Sequence, residues 1–286
     1  MTIVHPNTHI KALVQIVHGM AEHKDRYLSF MQYLAQAGYA CIICDLRGHG
    51  ASLLHPDDQG YFYQNGSKAM IRDLHQLSIW FREKHPNKKL FMLGHSMGSL
   101  AARVFAAQYG LGINGLILTG SPGFNPVAKL GILLTHVLAT FHRSTRSTSR
   151  IMDKIVLSPF QKAFPNEGSS CAWLSVNKRN VAVYEADPFC GFSLTLNGYR
   201  ALFELMVDAY DINVGIRRNL PVHFMSGQDD PCAPNAVGFF YAVENIRSRG
   251  CTCVSSKIYP GLRHEILNEG VIEVWEDVKN TFDSWI

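Results

Sequence analysis

Residues 89–109, KLFMLGHSMGSLAARVFAAQY, decide the fold. The run opens with strand character in KLFML and turns sharply through Gly94-His95-Ser96-Met97-Gly98. It continues as Ser99 to Tyr109, whose alanines favour helix. A GxSxG pentapeptide between a strand and a helix reads as a nucleophile elbow, in which flanking glycines permit a strained turn that lifts the serine hydroxyl above the sheet. In a chain with 23 glycines the string alone is only moderately specific, and its place between strand and helix carries the reading.

Outward from this point, apolar runs bounded by turn residues alternate with segments of helical period, the pattern of a mostly parallel sheet with crossover helices. Strands are predicted at Ala12–Val17, Tyr39–Cys44, Leu90–Leu93 and Ile113–Leu118, and helices at Tyr27–Ala37, Met70–Lys84 and Ser99–Tyr109. The alternation stops after Pro122. It resumes at Val222–Met225, followed by a helix, a strand at Cys253–Tyr259 and a last helix. The predicted fold class is therefore α/β, with residues 1–121 and 211–286 as the core and 122–210 as an inserted lid or cap. One domain with an insertion suits 286 residues.

Inside the insertion, Leu130, Leu133, Leu134, Val137, Leu138 and Phe141 share one face at helical spacing, with Lys129 and His136 off it. An amphipathic helix is predicted there, followed by HRSTRSTSR (142–150), which has loop composition. The helix reads either as ordinary core or as a lid over the catalytic loops.

A serine hydroxyl is a poor nucleophile until a base takes its proton, and in this arrangement the partners follow in the order nucleophile, acid, base. Of 13 histidines only His264 lies beyond the Gly227-Gln228-Asp229-Asp230 segment, which singles it out as the base. The acid belongs in a loop just after a strand. Asp229 and Asp230 both meet that condition, and spacing does not separate them. The oxyanion needs backbone donors, predicted to be the N–H groups of Met97, after the nucleophile, and of Met20, in the loop after the first predicted strand.

Composition narrows the partners. The 27 Lys plus Arg against 23 Asp plus Glu are scattered rather than striped, so nucleic acid is not an expected partner. No run of about 18 apolar residues suggests a membrane span, and the N-terminus lacks the pattern of a secretory signal. The seven cysteines, without CxxC spacing, read as reduced thiols, which places the protein in the cytoplasm. No metal-ligand spacing and no phosphate-loop lysine appear, so neither a metal nor another cofactor is expected. Cys232, two residues past Asp230, reads as a buried thiol and is given no role.

On these residues the chain resembles the lysophospholipase and monoacylglycerol lipase-like branch of the α/β-hydrolase superfamily, over nearly its whole length. His18-Gly19-Met20-Ala21-Glu22-His23 is similar to that branch's oxyanion segment. Asp45-Leu46-Arg47-Gly48-His49-Gly50-Ala51-Ser52 is similar to its next loop, and Gly94–Gly98 to its elbow. The resemblance selects Asp230 over Asp229, because the branch's acid lies three residues beyond a glycine. Its base precedes Glu-Ile or Glu-Leu, as His264 precedes Glu265-Ile266. Asp187-Pro188-Phe189-Cys190-Gly191-Phe192 resembles bacterial members, where the lid returns to the sheet. With only about ten residues before the first predicted strand, the usual leading hairpin is missing and the sheet edge stays open.

The resemblance implies an α/β-hydrolase fold and a serine carboxylic ester hydrolase. Its substrates would be single-acyl-chain esters: monoacylglycerol, lysophospholipid or short esters. A peptidase or acyltransferase with the same triad, or a binding protein on the same fold, stays open as an alternative. The lid's apolar face is expected to line an acyl channel or touch a membrane surface transiently. Arg143, Arg146 and Arg150 would then meet anionic head groups or form a solvated basic loop.

Overall fold

The computed structural model describes residues 1–233 and 235–286, and of Asn235 the backbone alone. Its strands are β1 (Thr2–Val4), β2 (Ala12–Val17), β3 (Tyr39–Ile43), β4 (Leu90–His95), β5 (Gly115–Thr119), β6 (Val222–Gly227) and β7 (Val254–Tyr259). They form one sheet in the order β1-β3-β2-β4-β5-β6-β7. Every neighbouring pair from β3 to β7 is parallel. Strands β2 to β5 are buried along their whole length. Burial on both faces is why they read as continuous apolar runs rather than alternations.

The sheet edge that the sequence leaves open is closed by β1, which pairs antiparallel with β3, Thr2 opposite Ile43 and Val4 opposite Cys41. Three residues suffice because Thr, Ile and Val suit an edge strand, and an antiparallel edge on a parallel sheet is common. So short a strand, half-buried and followed by Pro6, has too little periodicity to read.

Helices cover both faces. On one lie α1 (Leu28–Gln36) and α9 (Ile272–Trp285), packed with Phe30, Leu34, Val278 and Phe282. On the other lie α2 (Gly66–Lys84), α3 (Met97–Tyr109) and α8 (Asn235–Ser248). Helix α3 sits hard against the sheet: a Cβ on Gly98 would stand 2.3 Å from the Val17 carbonyl oxygen, so only glycine fits there.

Between β5 and β6 run α4 (Ala128–His142), α5 (Arg150–Gln161), α6 (Lys178–Ala186) and α7 (Leu196–Ala209). Helix α7 joins the main core through Leu196, Tyr199, Leu202 and Leu205, and α4 lies along α7. The predicted apolar face of α4 is split. Leu134 and Leu138 are half-buried against the core, whereas Leu130, Leu133, Val137 and Phe141 are 62%, 57%, 41% and 79% exposed. The core reading of these four is therefore overturned. The cause is the small side of the helix: Ala128 and Thr135 are buried, and a Cβ on Gly131 would meet the Phe203 ring at 2.7 Å. Close approach by small residues wins over the larger apolar stripe.

Candidate active site

Ser96 caps β4 and precedes α3 with φ 52° and ψ −121°, a conformation that costs of order 1–3 kcal/mol for a non-glycine residue. The surroundings hold it there. Ser96 N donates to the Thr119 carbonyl at 3.0 Å, and Ser99 Oγ donates to the Ser96 carbonyl at 2.6 Å.

Asp230, after β6, and His264, after β7, are buried and face each other, with His264 Nδ1 donating at 3.0 Å to the Asp230 carboxylate. Asp229 is exposed. The structure thus separates the two carboxylates that spacing leaves equivalent. Asp230 also accepts from Cys232 N at 2.9 Å and from Ser226 Oγ at 3.3 Å. Burial works against charge on both partners, but each favours the other's ionised form: His264 is held well above the usual imidazole range and Asp230 below the usual carboxylate range. The His95 and Trp173 rings pack on His264 at centroid distances of 4.8 and 5.0 Å. Burial, then the proximity of His264, lowers His95 to about 4 and keeps it neutral.

His264 Nε2 has the Cys232 thiol at 3.9 Å. Among the described hydrogen bonds none joins it to Ser96 Oγ, a contact that commonly tightens only around substrate. Burial pushes the Cys232 thiol up to about 11, so at neutral pH it is protonated.

In the loop after β2 the backbone polar groups of Gly19 and Ala21 are committed. Gly19 N donates to Glu22 Oε1 at 2.5 Å, and the Gly19 carbonyl accepts from His18 Nδ1 at 2.8 Å. Ala21 N donates to His49 Nε2 at 3.1 Å, and its carbonyl accepts from Gly191 N and Tyr184 Oη, both at 2.9 Å. Burial lowers His18, and burial together with His18 lowers His49 to about 3, so both are neutral pins. Among the described hydrogen bonds, the N–H groups of Met20 and Met97 have no acceptor. Two unclaimed donors beside a strained serine hydroxyl suit an oxyanion.

Behind this loop lies a buried ion network that sequence reading passes over. Arg26 donates to both oxygens of Glu265, at 2.6 and 2.7 Å, to Glu22 Oε2 at 2.8 Å and to Asn180 Oδ1 at 3.1 Å. The Tyr184 ring lies 4.9 Å from the guanidinium. Burial opposes charge on Glu22 and Glu265, but Arg26 outweighs it and holds both below the usual range, Glu265 at about 2. No linear signal marks Arg26, which follows the polar run His23-Lys24-Asp25; only the folded chain buries Glu22 and Glu265 beside it, and a buried charge needs a partner.

Ser96, His264, Met20, Glu22 and Glu265 line one cavity of about 110 Å³, roofed by Leu157 and Gln161 of α5 and by Trp173. The α4 face expected to line an acyl channel is not part of it. An engineered cavity of about 150 Å³ holds benzene, so this one has room for a group of a few carbons as it stands. Of the three basic residues after α4, Arg146 is paired with Asp58 and stacked over Tyr61 at 4.1 Å, while Arg143 and Arg150 are exposed.

Fold and site define an α/β-hydrolase. Residues 8–270 match the family described as Hydrolase_4, serine aminopeptidase S33, and the chain belongs to that family. It is 28% identical over 272 residues to the monoacylglycerol lipase of Mycolicibacterium smegmatis, covering 92% of this chain and 85% of the relative. It is 24% identical over 279 residues to the monoglyceride lipase of Mus musculus, covering 96% and 82%. Among solved structures, a highly thermostable carboxyl esterase from Bacillus coagulans superposes with a TM-score of 0.89 at 28% identity, covering 99% of this chain and 92% of that one. Among the described residues no helix is long and apolar enough to cross a membrane.

Proposed function

We propose that this chain is a serine carboxylic ester hydrolase acting on single-acyl-chain esters: short esters, monoacylglycerols or lysophospholipids. The observation that carries the reading is the buried Asp230–His264 pair sharing a small cavity with a strained, elbow-borne Ser96. Ser96 attacks the ester carbonyl and His264 takes the proton, then returns it to the leaving alcohol. Asp230 fixes the ring and stabilises the imidazolium, and the amides of Met20 and Met97 hold the oxyanion. Water releases the acid from the acyl-enzyme. The names of the relatives support an ester substrate.

The lid belongs to the insertion, residues 122–210, in which α7 is fixed to the core and α5 borders the cavity. Chains longer than a few carbons require α5 to move away from the cavity, as lids commonly do. The exposed face of α4 then suits transient contact with a lipid surface, with Arg143 and Arg150 rather than Arg146 free for head groups. Seven free thiols support a reducing, cytoplasmic compartment.

The family's description favours a second reading, an aminopeptidase, for which Glu22 and Glu265 would hold the substrate ammonium. Both carboxylates are already committed to Arg26, which counts against it. Hydrolysis of p-nitrophenyl esters from acetate to palmitate, of monoacylglycerols and of aminoacyl p-nitroanilides tests the choice. Esters are expected to turn over and anilides not; the reverse overturns the proposal.

A further inference from the structure

Two motifs meet at residues that the proposed reaction does not use. His23 closes the segment after β2, and Asp187-Pro188-Phe189-Cys190 forms a turn in which Cys190 N donates to the Asp187 carbonyl at 3.0 Å. The turn carries the chain away from α6, and the 2.9 Å bond from Gly191 N to the Ala21 carbonyl clasps it to the loop after β2. At this junction one ligand atom each from His23, Asp187 and Cys190 lies within 4.8 Å of the other two. His23 Nε2 and Asp187 Oδ2 are 2.9 Å apart, and Cys190 is 9% exposed.

We propose that His23, Asp187 and Cys190 form a binding site for one divalent ion of the zinc class, which locks the segment returning from residues 122–210 to the loop after β2. Imidazole, carboxylate and thiolate together are a zinc donor set, and harder ions such as magnesium or calcium avoid sulfur. Two anionic ligands neutralise the ion, and three protein ligands leave the fourth tetrahedral position to water. Bonds of about 2.0–2.3 Å put tetrahedral ligand atoms roughly 3.3–3.8 Å apart. His23 Nε2 and Asp187 Oδ2, 2.9 Å apart, therefore part slightly on binding.

His23 Nδ1 accepts from Asp25 N at 3.4 Å, and the Asp25 carboxylate stands 3.7 Å away; Nδ1 must take the proton when Nε2 binds an ion, and that carboxylate is then the acceptor within reach. Binding expels the Cys190 thiol proton to solvent and leaves the single His23 proton on Nδ1, facing Asp25. Burial, against which Arg26 only partly works, and the Asp187 carboxylate hold the Cys190 thiol well above its ordinary range, and the ion would favour the thiolate. The three residues are 164 and 3 positions apart, so no linear spacing reveals them.

Asp230, Cys232 and His264 form a second cluster of the same tightness. An ion there would occupy the base, so the test is made in a Cys232→Ser background. Chelator-treated protein is titrated with Cd²⁺, whose thiolate complex absorbs in the ultraviolet, and then with Zn²⁺ as competitor. The expected result is a band that saturates at one equivalent, is displaced by Zn²⁺ and accompanies a rise in Tm. Adding Cys190→Ser or His23→Ala should abolish it, and Asp187→Asn should weaken binding at least about tenfold. His23 is only half-buried, so its substitution keeps the test open if Cys190→Ser does not fold. A band untouched by both substitutions, or no band at one equivalent of Cd²⁺, overturns the assignment.

Discussion

Arg26 and Glu265 are joined by two hydrogen bonds of 2.6 and 2.7 Å, so the segment that follows β2 is tied to the residue next to His264. Through Glu22, the same guanidinium reaches the Gly19 amide. The two halves of the proposed reaction centre, donors for the oxyanion and base for the serine, are thereby held in one rigid unit.

Removing Arg26 strands two buried carboxylates. Arg26→Met is expected to cost roughly 3–5 kcal/mol of stability, more than an exposed pair such as Arg200–Glu204, for which about 0–1 kcal/mol applies. Urea unfolding of Arg26→Met and of Arg200→Met checks this. Glu265 lies below its unfolded value, so its contribution is complete above about 4.5 and is lost as pH falls toward about 2. The Arg26→Met deficit should therefore shrink in acid; a deficit constant with pH would contradict the account.

The rate has a sign fixed by His264. As a base it must be neutral, and Asp230 raises it well above the usual imidazole range despite burial. kcat/KM should rise with pH through an apparent pKa above 6.5 and fall away below it. Asp230→Asn should move that step down and lower kcat by about 10⁴-fold. A step that stays in place in Asp230→Asn would remove His264 from the role.

The two neighbouring carboxylates should behave unlike each other. Asp229 is exposed, so Asp229→Asn should change kcat/KM less than twofold, within the scatter of surface substitutions of about ±0.5 kcal/mol. Loss of turnover in Asp229→Asn with retention in Asp230→Asn would transfer the acid role to Asp229.

The outward face of α4 should matter for lipid and not for soluble ester. Full burial of a large apolar side chain contributes about 1.5–3 kcal/mol, so Leu133→Asp with Phe141→Asp should sharply reduce cosedimentation with vesicles while hydrolysis of p-nitrophenyl acetate is unchanged. Equal vesicle binding by wild type and variant would dismiss the lipid-facing role of α4.

Much of this was legible in the sequence where physics is local. Strand-turn-helix around Ser96, the run of buried strands and the lone downstream His264 all follow from neighbouring residues. Two points stayed open in the sequence for non-local reasons. The Thr2–Val4 edge exists only because β3 offers a free side, and the α4 stripe faces outward because Gly131 lets Phe203 of α7 come close. The Arg26 network joins residues 239 positions apart, and the His23, Asp187 and Cys190 cluster spans 164. Such pairs come into view only once the chain is folded.

The central claim is that Ser96 is the nucleophile of an ester hydrolase. The direct measurement is p-nitrophenyl butyrate hydrolysis by wild type and Ser96→Ala, with mass spectrometry of the wild type quenched during turnover. The account predicts a butyryl adduct on the peptide carrying Ser96 and a loss of at least about 10³-fold in the variant. Full activity in Ser96→Ala, or an adduct on another residue, would contradict it.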